Sequence, residues 1–217
     1  TDASGTRPTD PNVFAFLYNQ AISQLATANA NVKIAVFSIP DVRVIPFFNT
    51  VGPQMAAGIA QAKQLNPNIV GLFYQKEGEN VASSFTNLNQ PGDPLVTLTG
   101  GTYAPLLGQP TGKFYRDNNF PALPAGIDTT QPFGFHPQNP WPNALILDAD
   151  EQAIVANALN AFNTTIAQIA NAYPNVIFVD INAKFLQIKA SEATGGYKID
   201  GFTFSTQFVQ GGLFSLD

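Results

Sequence analysis

Three times along this chain, a segment with helical spacing of apolar residues is followed by a short, mostly apolar run. The pairs are, in chain order, 11–29 with 32–39, 53–65 with 69–74, and 148–173 with 176–181. Apolar runs without polar alternation are typical of parallel strands that are buried on both faces. The repeated alternation therefore predicts an α/β domain with a mostly parallel sheet. In such sheets, sites form beyond the carboxyl ends of the strands, which here are residues 38–41 and 180–182.

The first helical segment has a clear start signal. Asp10 followed by Pro11 is typical of a helix N-cap and the first helical position. Apolar residues then recur at helical spacing, so we expect a buried face made of Phe14, Leu17, Ala21 and Leu25.

The third helical segment has the strongest periodicity. Asp148 and Glu151 have the spacing of a capping box. The residues expected on its buried face are Val155, Leu159, Phe162, Ile166, Ile169 and Tyr173. A short helix near residues 183–189 and a glycine-rich tail at 197–217 follow the last strand.

Residues 75–145 break this regular pattern. They are rich in Gly, Pro, Asn and aromatic residues, and they contain one short strand-like run at 95–98. Long segments without regular elements are usually either functional or disordered. The aromatic residues and prolines favour order, so we interpret 75–145 as an ordered insertion in a single domain that spans 1–217.

Composition excludes several classes of function. The net charge is −5 and no run of Lys or Arg occurs, so binding to nucleic acid or to an anionic membrane is not expected. The chain has no cysteine, and no apolar stretch reaches the roughly 20 residues of a transmembrane helix. Charged residues make up only 12% and neutral polar residues replace them, which favours a secreted, periplasmic or outer-surface location.

Isolated residues give little indication of catalytic chemistry. Neither a Gly-x-Ser-x-Gly elbow nor a Gly-Asp-Ser string occurs, and the one histidine, His136, lies in an aromatic loop where a packing or hydrogen-bonding role is the better interpretation. Glu77 and Glu79 could form a glycosidase pair, although acids in a loop are usually just solvated.

Two further patterns have a structural explanation. Asp148, Asp150 and Glu151 could bind a hard cation, but acids in a first helical turn more often satisfy free N–H groups and the helix dipole. Asn163 begins a glycosylation sequon inside a predicted helix, which argues against its use. We expect no cofactor and no metal.

Two strings carry a resemblance to a known family. Residues 39–42 read Ile-Pro-Asp-Val after a core strand, and residues 211–217 read Gly-Gly-Leu-Phe-Ser-Leu-Asp. In their joint order they resemble bacterial exported SGNH-type (GDSL-type) hydrolases, in which the second string runs directly into Gly-x-His-Pro. The resemblance covers most of the chain, from about Phe14 to Asp217, and is weakest across 75–145.

The resemblance implies a flavodoxin-like three-layer α/β/α fold and a Ser-His-Asp triad. It also implies an oxyanion hole formed by the serine N–H, a glycine and an asparagine. Of these residues only Asp217 has a match here, as the aspartate of Asp-x-x-His. The histidine would follow the chain, and the Gly-Asp-Ser and Gly-x-Asn-Asp segments would precede Thr1.

The expected function follows from that match. We expect part of a serine ester hydrolase that acts on a small-molecule acyl ester, a lipid or an acylated carbohydrate. This chain alone should be inactive, and a complementing chain or segment should supply the missing strands and catalytic residues. The alternative is a non-catalytic α/β binding or surface-assembly domain. A third hypothesis is a glycosidase that uses loop carboxylates.

Overall fold

The computed structural model describes residues 7–29 and 31–206. The described residues divide into two compact units. The first unit contains residues 7–45 and 150–206, and the second unit contains residues 46–149. None of the described helices is both long enough and apolar enough to cross a membrane.

Helices and strands are mixed along the chain. The α-helices are α1 (Pro11–Ala28), α2 (Pro46–Asn49), α3 (Val51–Leu65), α4 (Lys113–Asp117), α5 (Ala149–Asn171) and α6 (Ile181–Ser191). The strands are β1 (Ile34–Phe37), β2 (Leu72–Tyr74), β3 (Ser84–Thr86), β4 (Leu95–Val96), β5 (Ile146–Leu147), β6 (Val176–Val179), β7 (Tyr197–Ile199) and β8 (Phe202–Phe204). Short 3₁₀ turns occur at Val42–Val44, Leu98–Thr102, Ala104–Leu106, Asn143–Leu145 and Glu192–Thr194.

A small parallel sheet forms the centre of the first unit. β1 and β6 pair in parallel, with Ile34 opposite Val176 and Phe37 opposite Val179. Side chains alternate between the faces of a strand, so one face presents Ile34 and Val36 beside their β6 neighbours. This face packs against α1 and α5 in a single apolar cluster. The α/β character and a parallel pair are therefore present.

The buried face of α1 differs from the prediction. The helix starts as expected, because the Asp10 side chain accepts hydrogen bonds from the next backbone N–H groups. The residues that pack inward are Phe14, Tyr18, Ile22 and Ala26, whereas Leu17 and Leu25 are 54% and 58% exposed. Val13, Leu17, Ala21 and Leu25 form a second apolar stripe beside the first. The periodicity therefore could not decide which stripe faces the core.

The prediction that the first and third strands are buried on both faces is wrong. Phe37 of β1 and Ile177 of β6 are 53% and 57% exposed, and they lie on the face opposite α1 and α5. Both strands are also shorter than the predicted runs, at four residues each. Among the described residues, helices cover this sheet on one face only.

The prediction that the second strand joins the parallel sheet is also wrong. β2 pairs antiparallel with β3, and Leu72 lies opposite Thr86. The intervening residues 75–83 are short enough for a hairpin connection, whereas a parallel neighbour needs a longer crossover. The chain uses this local pairing, and β4 pairs antiparallel with β5 in the same unit.

Residues 75–145 supply much of a hydrophobic core in the second unit. Trp141 and Val96 of this stretch are fully buried at the centre of the second unit, together with Leu72 of β2. Other residues from the same stretch pack around them, including Tyr103, Phe114, Tyr115, Phe133 and Leu145. The predicted short strand near 95–98 is present as β4.

The remainder of the first unit follows the sequence more closely. α5 buries Leu159 and Ile166 from its predicted face and ends two residues before Tyr173. Asp180 caps α6, which is longer than the predicted helix. The tail begins with the antiparallel β7–β8 hairpin. Asp217, the one predicted catalytic residue, lies outside the described residues.

Candidate functional site

The carboxyl ends of β1 and β6, which the sequence placed at strand ends without making them neighbours, lie side by side. Ser38 follows β1 directly, and its Oγ donates a hydrogen bond of 2.8 Å to Oδ1 of Asp180, which follows β6. Ser38 is buried, and its N–H continues the strand pairing to the carbonyl of Val179. The two strand ends are therefore joined by side chains as well as by backbone.

Asn182 completes this connection. Its backbone N–H donates to Ser38 Oγ at 2.8 Å, and its side-chain Oδ1 accepts from the Asp41 N–H at 2.8 Å. Ser38 Oγ thus both donates and accepts, while Asp180 also accepts from the Ala183 N–H at 3.0 Å. We refer to Ser38, Asp41, Asp180 and Asn182 as the strand-end cluster. Its polar groups form hydrogen bonds mainly with one another. These bonds hold the segments that follow β1 and β6 against each other.

Asp41 adds the charged part of the strand-end cluster. Its Oδ1 accepts from the backbone N–H of Arg43 at 2.8 Å, and its carboxylate forms an ion pair with the Arg43 guanidinium. Burial raises the pKa of Asp41, but the hydrogen bonds and the positive charge of Arg43 lower that pKa more strongly. The pKa therefore stands below the ordinary value of 3.8.

We expect this lowered pKa to appear in the acid stability of the protein. A carboxyl group whose pKa is lower in the folded state contributes stability that is fully present above its unfolded pKa and is lost as pH falls through the folded pKa. Asp41→Asn should therefore reduce the loss of stability that accompanies acidification from about pH 5 to about pH 2. Urea midpoints across that range measure it, with Asp200→Asn in the β7–β8 turn as control. An unchanged acid dependence in Asp41→Asn would contradict this expectation.

Asn163 of α5 holds the segment just after β1. Its Oδ1 accepts from the Ile39 N–H at 2.7 Å, and its Nδ2 donates to the Ile39 carbonyl at 2.9 Å. The side-chain amide thus pairs with the backbone as a neighbouring strand would. The nitrogen that a glycan would modify is already engaged in this contact.

His136 has a hydrogen-bonding role in its loop. The half-buried side chain accepts from the Gln138 N–H at Nδ1, at 3.2 Å. The adjacent backbone turn is closed by the Asn139 N–H, which donates to the His136 carbonyl. This contact agrees with the hydrogen-bonding interpretation of the sequence.

Glu79 is a poor candidate for a glycosidase acid. Its Oε1 accepts from Ser83 Oγ at 2.7 Å, and its Oε2 accepts from the Lys76 N–H at 3.3 Å. The bond from Ser83 is the main reason why the pKa of Glu79 lies below its ordinary value. A general acid needs a raised pKa, so this environment opposes that role. Glu77 is exposed in the same turn.

Asp150 and Glu151 lie in the first turn of α5, and Asp148 precedes the helix. No group of three or more His, Cys, Asp or Glu side chains that could hold a metal ion occurs among residues 7–29 and 31–206. Asp148 itself is buried just before α5.

Sequence reasoning missed a set of buried polar side chains in the second unit. Tyr115 is buried, and burial raises its pKa to about 12, against a smaller lowering by a side-chain hydrogen bond with Gln75. Asn139 is fully buried and donates to the carbonyls of Thr111 and Gln131, at 3.2 and 2.8 Å. Tyrosine and asparagine in an irregular stretch give no sequence signal that separates these buried residues from solvated ones.

The second unit also contains an open apolar cleft. Its volume is about 250 Å³, and its lining includes Met55, Gly58 and Ala62 of α3 together with Ala104, Leu107 and Phe135. Gly134, at φ 73°, brings the backbone so close to Leu107 that a Cβ there would lie 2.5 Å from its methyl group. The wall that carries Phe135 and Leu107 is thus closely packed, and an apolar group of small size fits the cleft.

Comparisons with known proteins add no relative: the chain matches no protein-family model, no curated protein and no solved structure.

Proposed function

We propose that this chain is the central segment of an SGNH-type serine ester hydrolase. The observation that carries the proposal is the position of the Ile-Pro-Asp-Val string, residues 39–42. The string stands at the carboxyl end of β1, where the end of the parallel neighbour β6 lies beside it. Active sites of α/β proteins form at such strand ends. Asp217 is the proposed triad aspartate.

The proposed reaction is attack of a serine hydroxyl on an acyl ester, with an acyl-enzyme intermediate. Asp217 orients the histidine and stabilises the imidazolium that forms when the histidine takes the serine proton. An aspartate cannot do this alone, so we expect the chain to be inactive without the serine and histidine of the family pattern. Those residues belong to a complementing segment of a longer protein or to a partner chain.

The proposed fold is the flavodoxin-like three-layer arrangement of that family. The parallel β1–β6 pair, with α1 and α5 on one face, supplies part of such an arrangement. The exposed Phe37 and Ile177 on the other face suit a second helical layer. The proposed location is outside the cytoplasm, in keeping with the low charge content.

The proposed substrate is a small acyl ester. The aromatic-rich insertion 75–145 suits an apolar acyl chain or a sugar face, and the apolar cleft between α3 and Phe135 would accept a group of modest size. The described residues that line this cleft carry no charge, and Gln54 is the one polar side chain among them, which favours a neutral group.

The test is hydrolysis of short p-nitrophenyl esters by this chain and by the protein that includes the residues encoded on either side. We expect turnover only in the longer protein. There, Asp217→Asn should lower kcat by about 10⁴-fold, as expected for loss of the triad aspartate. Asp200→Asn makes the same chemical change at the exposed β7–β8 turn, where Asn tolerates the positive φ, and it should leave kcat unchanged. Full activity of the Asp217→Asn protein would overturn the proposed role.

A second candidate function is a non-catalytic binding domain built on the same scaffold. The strand-end cluster favours it, because Ser38 and Asp180 are bound to each other and to the following backbone instead of facing a substrate. This candidate predicts no ester turnover in either protein of the assay above, together with normal folding of both.

A further inference from the structure

The helical layer of the first unit is wider than the sheet beneath it. α1 and α5 pack side by side on one face of the β1–β6 pair, and the rings of Phe14 and Phe162 stack at 4.2 Å where the helices meet. Two packed helices span about 20 Å, given a helix diameter of about 10 Å. Two strands span only about 10 Å, since neighbours are about 4.8 Å apart. The sheet is therefore about two strands narrower than its helices.

The side of α1 that no other described residue covers is apolar. Val13, Leu17, Ala21 and Leu25 form a stripe about 100° around the helix from the packed stripe, and all four are exposed. An exposed stripe of this kind on a helix that already buries another face indicates a further packing partner.

β1 also has a free edge. The Ile34 and Ser38 N–H groups donate to carbonyls of the β6 segment, at Asn175 and Val179. Because donors alternate along a strand, the N–H groups of Ala35 and Phe37 point away from β6. β1 pairs with no other strand in residues 7–29 and 31–206. An unpaired edge of this kind is a template for strand addition.

The handedness of crossovers decides where the missing strand belongs. Crossovers between parallel strands are right-handed in nearly all proteins, about 98%. The connection from β1 through α5 to β6 places α5 on the same face as α1. Two right-handed connections with their helices on the same face cross the sheet in the same direction. A connection from an earlier strand through α1 to β1 must therefore cross the sheet in the direction that leads from β1 to β6. That earlier strand lies on the side of β1 opposite to β6.

We infer that the free edge of β1 binds a parallel strand supplied by polypeptide that precedes α1 in the same protein. Residues 1–9, Thr-Asp-Ala-Ser-Gly-Thr-Arg-Pro-Thr, contain no large apolar residue and do not suit a buried parallel strand. The direction of the crossover through α1 assigns the edge to an apolar segment upstream of them. The inference rests on the proposed function in one respect, since it names the complementing segment of the proposed hydrolase.

Amide hydrogen exchange tests this inference in the protein that includes the residues encoded on either side. The Val36 amide points toward β6 and serves as the internal control. We expect the Ala35 and Phe37 amides to exchange within about tenfold of the Val36 rate, because a new neighbour accepts their hydrogen bonds. Exchange of these two amides more than tenfold faster than that of Val36 would overturn the inference. So would protection that disappears on dilution, because that result assigns the edge to a second copy. Protection lost when residues 207–217 are deleted would overturn it too, because that result assigns the edge to the end of this chain.

This readout does not depend on catalysis. Protected edge amides without ester turnover would leave the strand in place and reject the hydrolase proposal. Turnover with unprotected edge amides would reject the added strand and leave the hydrolase proposal in place.

Discussion

Replacing Trp141 with alanine is expected to lower the free energy of unfolding of the second unit by about 3–5 kcal/mol, the range for a large buried aromatic residue. Trp141 is fully buried at the centre of that unit. Its ring lies 5.5 Å from the ring of Phe133, and its Nε1 donates to the Leu145 carbonyl at 3.2 Å. A Cβ on Gly100 would lie 2.9 Å from the indole, so the surrounding backbone fits closely around the ring. Truncation therefore leaves a cavity that cannot readily collapse.

Phe85→Ala is the matched control for this change. Phe85 is an aromatic residue of the same unit, on β3, but about half of its side chain is exposed. We expect a loss of about 1 kcal/mol there, because less apolar area is removed from contact. Trp141 is the only tryptophan of the chain, so urea unfolding of both variants is followed by circular dichroism instead of fluorescence. Equal losses in the two variants would contradict the central position of Trp141.

Replacing Ser38 with alanine is expected to lower the free energy of unfolding of the first unit by about 2–4 kcal/mol. The hydroxyl donates to the Asp180 carboxylate and accepts the Asn182 N–H, both at 2.8 Å. Hydrogen bonds to charged groups contribute about 1.5–3 kcal/mol, and a buried donor left without an acceptor adds a further cost. Because both interactions depend on one oxygen atom, the loss should exceed that of a single hydrogen bond.

Ser23→Ala provides the matched control in the same unit. Its hydroxyl donates only to the Gln20 carbonyl of the preceding helical turn, at 3.1 Å. Alanine is a better helix former than serine, so we expect a change of less than about 0.5 kcal/mol. Comparison of the urea midpoints of the two variants measures the difference. A Ser38→Ala protein as stable as Ser23→Ala would show that the strand-end cluster does not hold the two strand ends together.

The first and third helices and strands were predictable because their signals are local. Asp10 before Pro11 set the start of α1, and the period of apolar residues set the buried face of α5. The position of Ser38 and Asp180 at strand ends also followed from the sequence, whereas the pairing of β1 with β6 that brings them together came from the tertiary structure. The bonds made by Asn182 and Asn163 did not follow, because an asparagine side chain carries no signal of its partner.

The partner of β2 and the inward stripe of α1 needed the tertiary structure. The run 69–74 has the same apolar character as the other two strands, and nothing within it distinguishes a parallel neighbour from the hairpin partner β3. α1 has two adjacent apolar stripes, and the contacts of Ile22 and Ala26 with Val36 decide between them.

By itself, the sequence determined the alternation of helices and strands and the polar residues at the ends of β1 and β6. These properties depend on the spacing of residue types along the chain, because they arise from interactions between residues that are close in sequence. The tertiary structure alone decided that the parallel sheet has two described strands, one covered face and a free edge. Strand neighbours and covered surfaces depend on segments that are far apart in sequence. The energy of such a pairing depends on both segments, so no single stretch of the chain determines it.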